Sequence, residues 1–136
     1  MTGPIQAIET GLYSLLAAGT ALTTELGGTF IYNKIAPPGT NLPVVIFQWQ
    51  GGGDENMTPG RQRNPVYTVK GVATTQAEAV ALDGHIDTLL HHATLTVAGY
   101  TNIWTAREED VDYIETDTGG NAVYHIGGVY RIRLTQ

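Results

Sequence analysis

Apolar positions recur along this chain with two different periods. Ile5, Ile8, Leu12, Leu15 and Leu16 fall three or four residues apart, the spacing of a helix that buries one narrow stripe. Pro4 suits the first turn of that helix, Thr2 can cap it and Gly19 can stop it. The same period returns at Ala79, Leu82, Ile86 and Leu89, and predicts a second helix from Thr75 to about His91. Thr75 and Glu78 stand at the spacing of a capping box, which marks where that helix begins.

Between and after the helices the pattern shortens to runs rich in β-branched and aromatic residues. "TFIYN" reads as a short strand, Val44–Gln50 as a long one and Pro65–Thr74 as another. Gly27-Gly28 breaks the chain before the first run, and Pro37, Pro38, Gly39 and Pro43 enforce an irregular connection after it. The two longer runs bracket a glycine-rich loop, which predicts an antiparallel hairpin. "ATLTVAG" and "YTNIWTAR", separated by Gly99, form a further hairpin. "EEDVDYIETDTGGN" reads as an acidic, turn-rich connection, and "AVYHIGGVYRIRLTQ" as the final strand. Gly127-Gly128 within it signals a bulge or a close backbone approach. The order α-β-β-α-β-β-β gives an α+β fold, two helices packed on one face of a mainly antiparallel sheet.

The 136 residues fit a single domain spanning 1–136. There is no cysteine, so disulfides and thiolate metal sites are excluded. No apolar run reaches membrane-spanning length, and "MTGPIQAIE" lacks the basic flank of a secretory signal. The net charge of −6 argues against a protein that wraps nucleic acid. It is compatible with a wall past which DNA slides without sticking.

Candidate chemistry is sparse. The loop "GGGDENMTPGRQRN" has the wrong glycine spacing for a phosphate loop, has Arg61 where a lysine is needed, and runs into a strand instead of a helix. A loop of roughly fourteen residues without structure of its own is either a mobile hairpin tip or a contact arm. Its glycines Gly51, Gly52 and Gly53, its acids Asp54 and Glu55, and Arg61 and Arg63 make it the candidate interaction loop, the arginines serving contacts between chains and not the fold. His85, His91 and His92 share the second predicted helix but lack the i, i+4 spacing of a helical metal site. His85 and His92 lie about 10 Å apart along its axis. Asp117-Thr118-Gly119 matches an aspartic-protease triplet, yet polar Glu115 and Thr116 precede it. A turn in which Asp117 bonds the backbone and Gly119 or Gly120 takes positive φ is the simpler reading. Glu108, Glu109, Asp110 and Asp112 form a solvated acidic face or a docking surface for a basic partner. No catalytic residue, cofactor site or metal site is expected.

"IYNKIAPPGTNLPVVIFQWQGGGDENMTP", the "TTQAEAVALDGHIDTLL" helix and the closing "YRIRL" strand together resemble the tail-completion, or tail-terminator, proteins of long-tailed bacteriophages. The likeness extends over most of the chain and is most specific in "YNKIAPPGTNLPVVIF" and "GGGDEN". The resemblance implies a structural virion protein without enzymatic activity. It implies a homo-hexameric ring that caps the tail tube protein and joins the head–tail connector protein, with DNA passing through. It places the protein in the tail or neck, assembled in the host cytoplasm, and makes the glycine-rich loop an interaction arm. A head-closure or connector protein, and an aspartic-type protease, are the alternatives.

Overall fold

The first helix begins where proline allows it. In the computed structural model, which describes residues 3–56 and 60–136, α1 runs Pro4–Ala17 with Gly3 in extended conformation before it. The expected cap Thr2 lies outside the described residues. Gly19 then starts a helix that the sequence reading missed, α2 at Thr20–Leu26, which Gly27 ends in the left-handed conformation with φ 80°. The third helix, α3 at Gln76–Leu90, opens as expected: the Thr75 hydroxyl accepts the Glu78 N–H at 3.3 Å. Among the described residues three helices, not two, therefore accompany the sheet.

The strands are β1 (Ile31–Asn33), β2 (Val44–Gly51), β3 (Gln62–Arg63), β4 (Val66–Ala73), β5 (Thr96–Val97), β6 (Tyr100–Thr116) and β7 (Ala122–Thr135). They form one sheet in the order β1-β2-β4-β7-β6-β5, with β3 also paired to β7. β1 runs parallel to β2 and every other pair is antiparallel, so the sheet is mixed. The expected hairpin of β2 and β4 is present.

The acidic stretch predicted as a turn-rich connection is instead the outer half of β6. Its backbone is laddered to β7 from Glu109 opposite Val129 to Thr116 opposite Ala122. Acidic side chains are tolerated there because this part of the strand is solvent-exposed along most of its length. Only the last residues turn. Asp117 Oδ1 accepts the N–H of Gly119 and of Asn121, both at 2.9 Å, and Gly120 sits at φ 83°. The Asp-Thr-Gly triplet is thus a hairpin turn.

One hydrophobic cluster joins Ile8, Leu12 and Leu16 of α1, Leu22 and Leu26 of α2 and Leu82, Ile86 and Leu90 of α3 to Phe47, Tyr67, Val69, Tyr130 and Ile132 of the sheet. Two glycines permit the close packing. A side chain at Gly71 would collide with Leu82 of α3, and one at Gly127 would collide with the backbone of Val69 and Lys70. The second case is the close approach that the Gly127-Gly128 pair signalled. Glu9 ties α1 to the sheet, accepting from the Tyr67 hydroxyl at 3.0 Å and the Asn33 amide at 2.9 Å.

Candidate interaction surface

The glycine-rich loop has more internal structure than its composition suggested. Its two limbs pair: Glu55 N–H donates to the Gln62 carbonyl at 2.9 Å, and Asn64 N–H donates to the Gly53 carbonyl at 2.8 Å. The Asn64 side chain accepts the Gly53 N–H, and Asp54 forms a bridge with Arg63. Gly52, at φ 77°, passes against Asn64 and Pro65 where a side chain would not fit. On its outer side β3 pairs with the end of β7, Gln62 opposite Thr135 and Arg63 opposite Leu134. The reading of this loop as a stretch without structure is corrected for residues 51–56 and 60–64. Met57 lies outside the described residues.

The loop's charges are spent largely on one another. Asp54 receives Arg61 at close range and Arg63 at 3.8 Å. The N–H of Asn56 and then Arg61 hold the Asp54 carboxyl below its ordinary pKa. Glu55 pairs with Arg133 of β7 at 3.0 Å. Arg63 is 7% exposed, so it belongs to the fold, contrary to the expectation that both arginines serve other chains. Arg61 remains more exposed, and Gly51, Gly52 and Gly53 are open or half-open to solvent. The free surface of the candidate loop is therefore its glycine limb and Arg61.

A second polar centre lies where α3 crosses β6 and β7, and no sequence motif pointed to it. The Arg107 guanidinium bonds Asp83 at 2.8 Å, Asp110 at 2.9 Å, the Tyr130 hydroxyl at 3.3 Å and the Gly127 carbonyl at 2.8 Å. Tyr130 in turn donates to Asp87 at 2.9 Å. Burial is the largest single influence and opposes the Arg107 charge, but the Asp83 carboxylate and the Tyr130 hydroxyl together outweigh it and the pKa rises above the usual guanidinium value. Burial first, then the Asp87 carboxylate, raises the Tyr130 hydroxyl too. This is a structural clamp: one guanidinium holds Asp83 and Asp110, Tyr130 bonds Asp87, and each of these groups is engaged by another.

The histidines separate. α3 ends at Leu90, so His91 and His92 lie beyond the helix that was expected to carry them with His85. His92 takes φ 63°, its N–H donates to the Thr105 carbonyl at 2.7 Å, and His91 Nδ1 accepts the Arg107 N–H at 3.1 Å. These bonds fasten the end of α3 to β6. His125 is 8% exposed, stacks on Tyr113 at 4.5 Å and meets Glu115 at 3.2 Å. Burial, then Lys70, lowers its pKa, against the pull of Glu115. Among the described residues no three His, Asp or Glu side chains converge as metal ligands. An open groove of about 600 Å³ between α1 and the sheet is lined by Ile5 and Phe47 together with the polar side chains of Gln6, Glu9, Thr10, Tyr13 and Asn33.

Exposed among the described residues are a glycine limb, an acidic strand edge and scattered large apolar side chains. Residues 10–135 match the family described as Tail completion protein gp17. The chain belongs to that family. It is thereby a structural protein of the phage tail type. Its fold is similar to that of a chain in a solved structure described as the virion of a native gene transfer agent (GTA) particle. The TM-score is 0.75 and the identity 16%, over 100% of both chains. No curated protein matches in sequence.

Proposed function

We propose that the protein forms a homo-hexameric ring that caps the end of the tail tube, presents its other face to the head–tail connector, and lets DNA pass through. The observation that carries this reading is the family match over residues 10–135. The acidic balance, −6 per chain, suits a passage that DNA crosses without being held. A tube of stacked rings offers an unsatisfied interface at its end, and such heterologous growth continues until something different covers it. The protein is that cover, acts without catalysis, and works in the neck of a particle assembled in the host cytoplasm. Its contact surface includes the glycine limb Gly51, Gly52 and Gly53 with Arg61, while Asp54, Glu55 and Arg63 hold that limb to itself and to β7.

Deleting the gene tests this. The expected products are full heads without tails beside free tails of abnormal length, and added purified protein restores joining to tails of normal length. Heads that lose DNA beside capped tails of normal length would assign the protein to head closure instead.

A further inference from the structure

The outer half of β6, Glu109–Thr116, is held as a strand from one side. β7 ladders to it, and no strand among the described residues pairs with its other edge. Side chains on the face of the sheet away from the helices add a second hold. Along β7, Ile126, Tyr130, Ile132 and Leu134 enter the core, so His125 and Gly127 fall on that other face. Lys70 of β4 stands directly opposite Gly127 in the ladder, and a side chain at 127 would collide with it. The missing side chain leaves a lane across β7. Lys70 uses it to reach β6, where its ammonium bonds the Tyr113 hydroxyl. Tyr113 stacks on His125, their ring centroids 4.5 Å apart and their planes 8° from parallel. His125 Nε2 lies 3.2 Å from a Glu115 carboxylate oxygen. These four residues thus join β4, β7 and the outer half of β6.

Histidine is the side chain of the four whose ordinary pKa lies near neutrality. His125 is buried, and its Nδ1 is enclosed without a hydrogen-bond partner among the described residues. A neutral ring can leave Nδ1 as a bare acceptor. An imidazolium must place an N–H there, with nothing to receive it. The charged groups facing the ring are Lys70 from β4 and Glu115 from β6, with Tyr113 stacked on it as a neutral hydroxyl. Glu115 favours the proton, but its side chain is 60% exposed and water weakens the attraction. Burial and Lys70 oppose the proton. The closed cluster therefore holds His125 neutral, whereas an opened one leaves an ordinary histidine that takes up a proton near about pH 6.5. The cluster is held above that pH and loosens as pH falls from there toward the lowered value.

We propose that Lys70, Tyr113, His125 and Glu115 form a proton-sensitive latch. With His125 neutral, the acidic half of β6 is held against the sheet. With His125 protonated, that half comes loose while the helices and the rest of the sheet stay folded. The response is local because β4 and β7 are each paired on both sides, whereas this part of β6 has β7 alone. The latch is a property of the single chain and works whether or not copies assemble into a ring.

Hydrogen exchange of the purified chain at pH 7.5 and 5.5, corrected for the intrinsic pH dependence of exchange, tests this. On acidification the amides of Glu109–Thr116 that ladder to β7 are expected to lose at least about threefold more protection than those of α3. His125→Phe keeps a ring for Tyr113 but has no proton to take up, and is expected to remove the difference. Lys70→Met relieves the like charge and should shrink it. Glu115→Gln removes the one group that favours the imidazolium and should enlarge it. Equal losses in β6 and α3, or a loss in β6 that His125→Phe leaves unchanged, overturn the latch. A second measurement needs no variant: the carbon-bound ring protons of His125, followed by NMR against pH in the wild-type chain, are expected to titrate below an ordinary histidine. Titration at or above the ordinary value overturns the latch as well.

Discussion

Replacing Arg107 with Met removes the cation on which α3, β6 and β7 converge. The guanidinium side chain is 17% exposed and the Asp83 side chain 19%, so the change leaves a poorly hydrated carboxylate without its counter-charge. Breaking a fully buried pair this way costs about 3–5 kcal/mol, and partial solvent access reduces that here to about 2–3 kcal/mol. For a domain of this size that lowers Tm by about 10 °C. Urea unfolding followed by circular dichroism is the assay, with an unchanged m-value as the sign that the unfolded state is unaffected. Arg107→Lys keeps a charge but cannot span Asp83, Asp110 and the Gly127 carbonyl together, so it falls between wild type and Met. Asp83→Leu combined with Arg107→Met is expected to cost less than the sum of the two singles by at least about 1 kcal/mol. A loss below about 0.5 kcal/mol for Arg107→Met, or strict additivity in the pair, refutes the clamp.

Two further outcomes are expected. Gly127→Ala forces a methyl group into the backbone of Val69 and Lys70 and should cost about 1–3 kcal/mol by urea unfolding, whereas Gly84→Ala, on an open helix face, should be neutral or stabilising. His125 contributes a pH dependence: its pKa is lowered in the folded state, so the unfolded chain takes up a proton that the folded chain refuses. Stability is therefore full above the ordinary histidine value of about 6.5 and falls as pH drops from there toward the lowered one. Melting temperatures from pH 5 to 7.5 should show a shallower slope in His125→Phe, and identical slopes would remove His125 as the cause.

The parts of this fold legible in the sequence are those fixed by short-range rules. α1 follows from Pro4 and its apolar stripe, α3 from Thr75 and Glu78, and the turn at Asp117 from its own side chain. The parts missed depend on partners distant in sequence. α2 is seven residues long and too short to show a period. The outer half of β6 is a strand because β7 lies beside it; its alternation of Val111 and Tyr113 with Asp110 and Asp112 was the available signal, hidden by the acids. The interaction loop looked unstructured because its glycines were read alone, whereas Arg63 is set by pairing with β7. Arg107 carried one clue, a lone arginine directly before a run of acids, but Asp83 and Tyr130 come to it only through the fold.

The place of β7 governs when the molecule can come into being at all. This strand lies between β4 and β6 and also receives β3, yet its residues, 122–135, are synthesised after all of those. A nascent chain halted before Ala122 has α1, α2 and α3 but no central strand to carry Tyr130 and Ile132 into the core. Closure of the core must therefore wait for translation to pass Thr135, and it relies on contacts distant in sequence, which form slowly. Ribosome-bound or prematurely terminated chains lack the ladder that shapes β6. Their β6 has no partner to hold its acidic half extended.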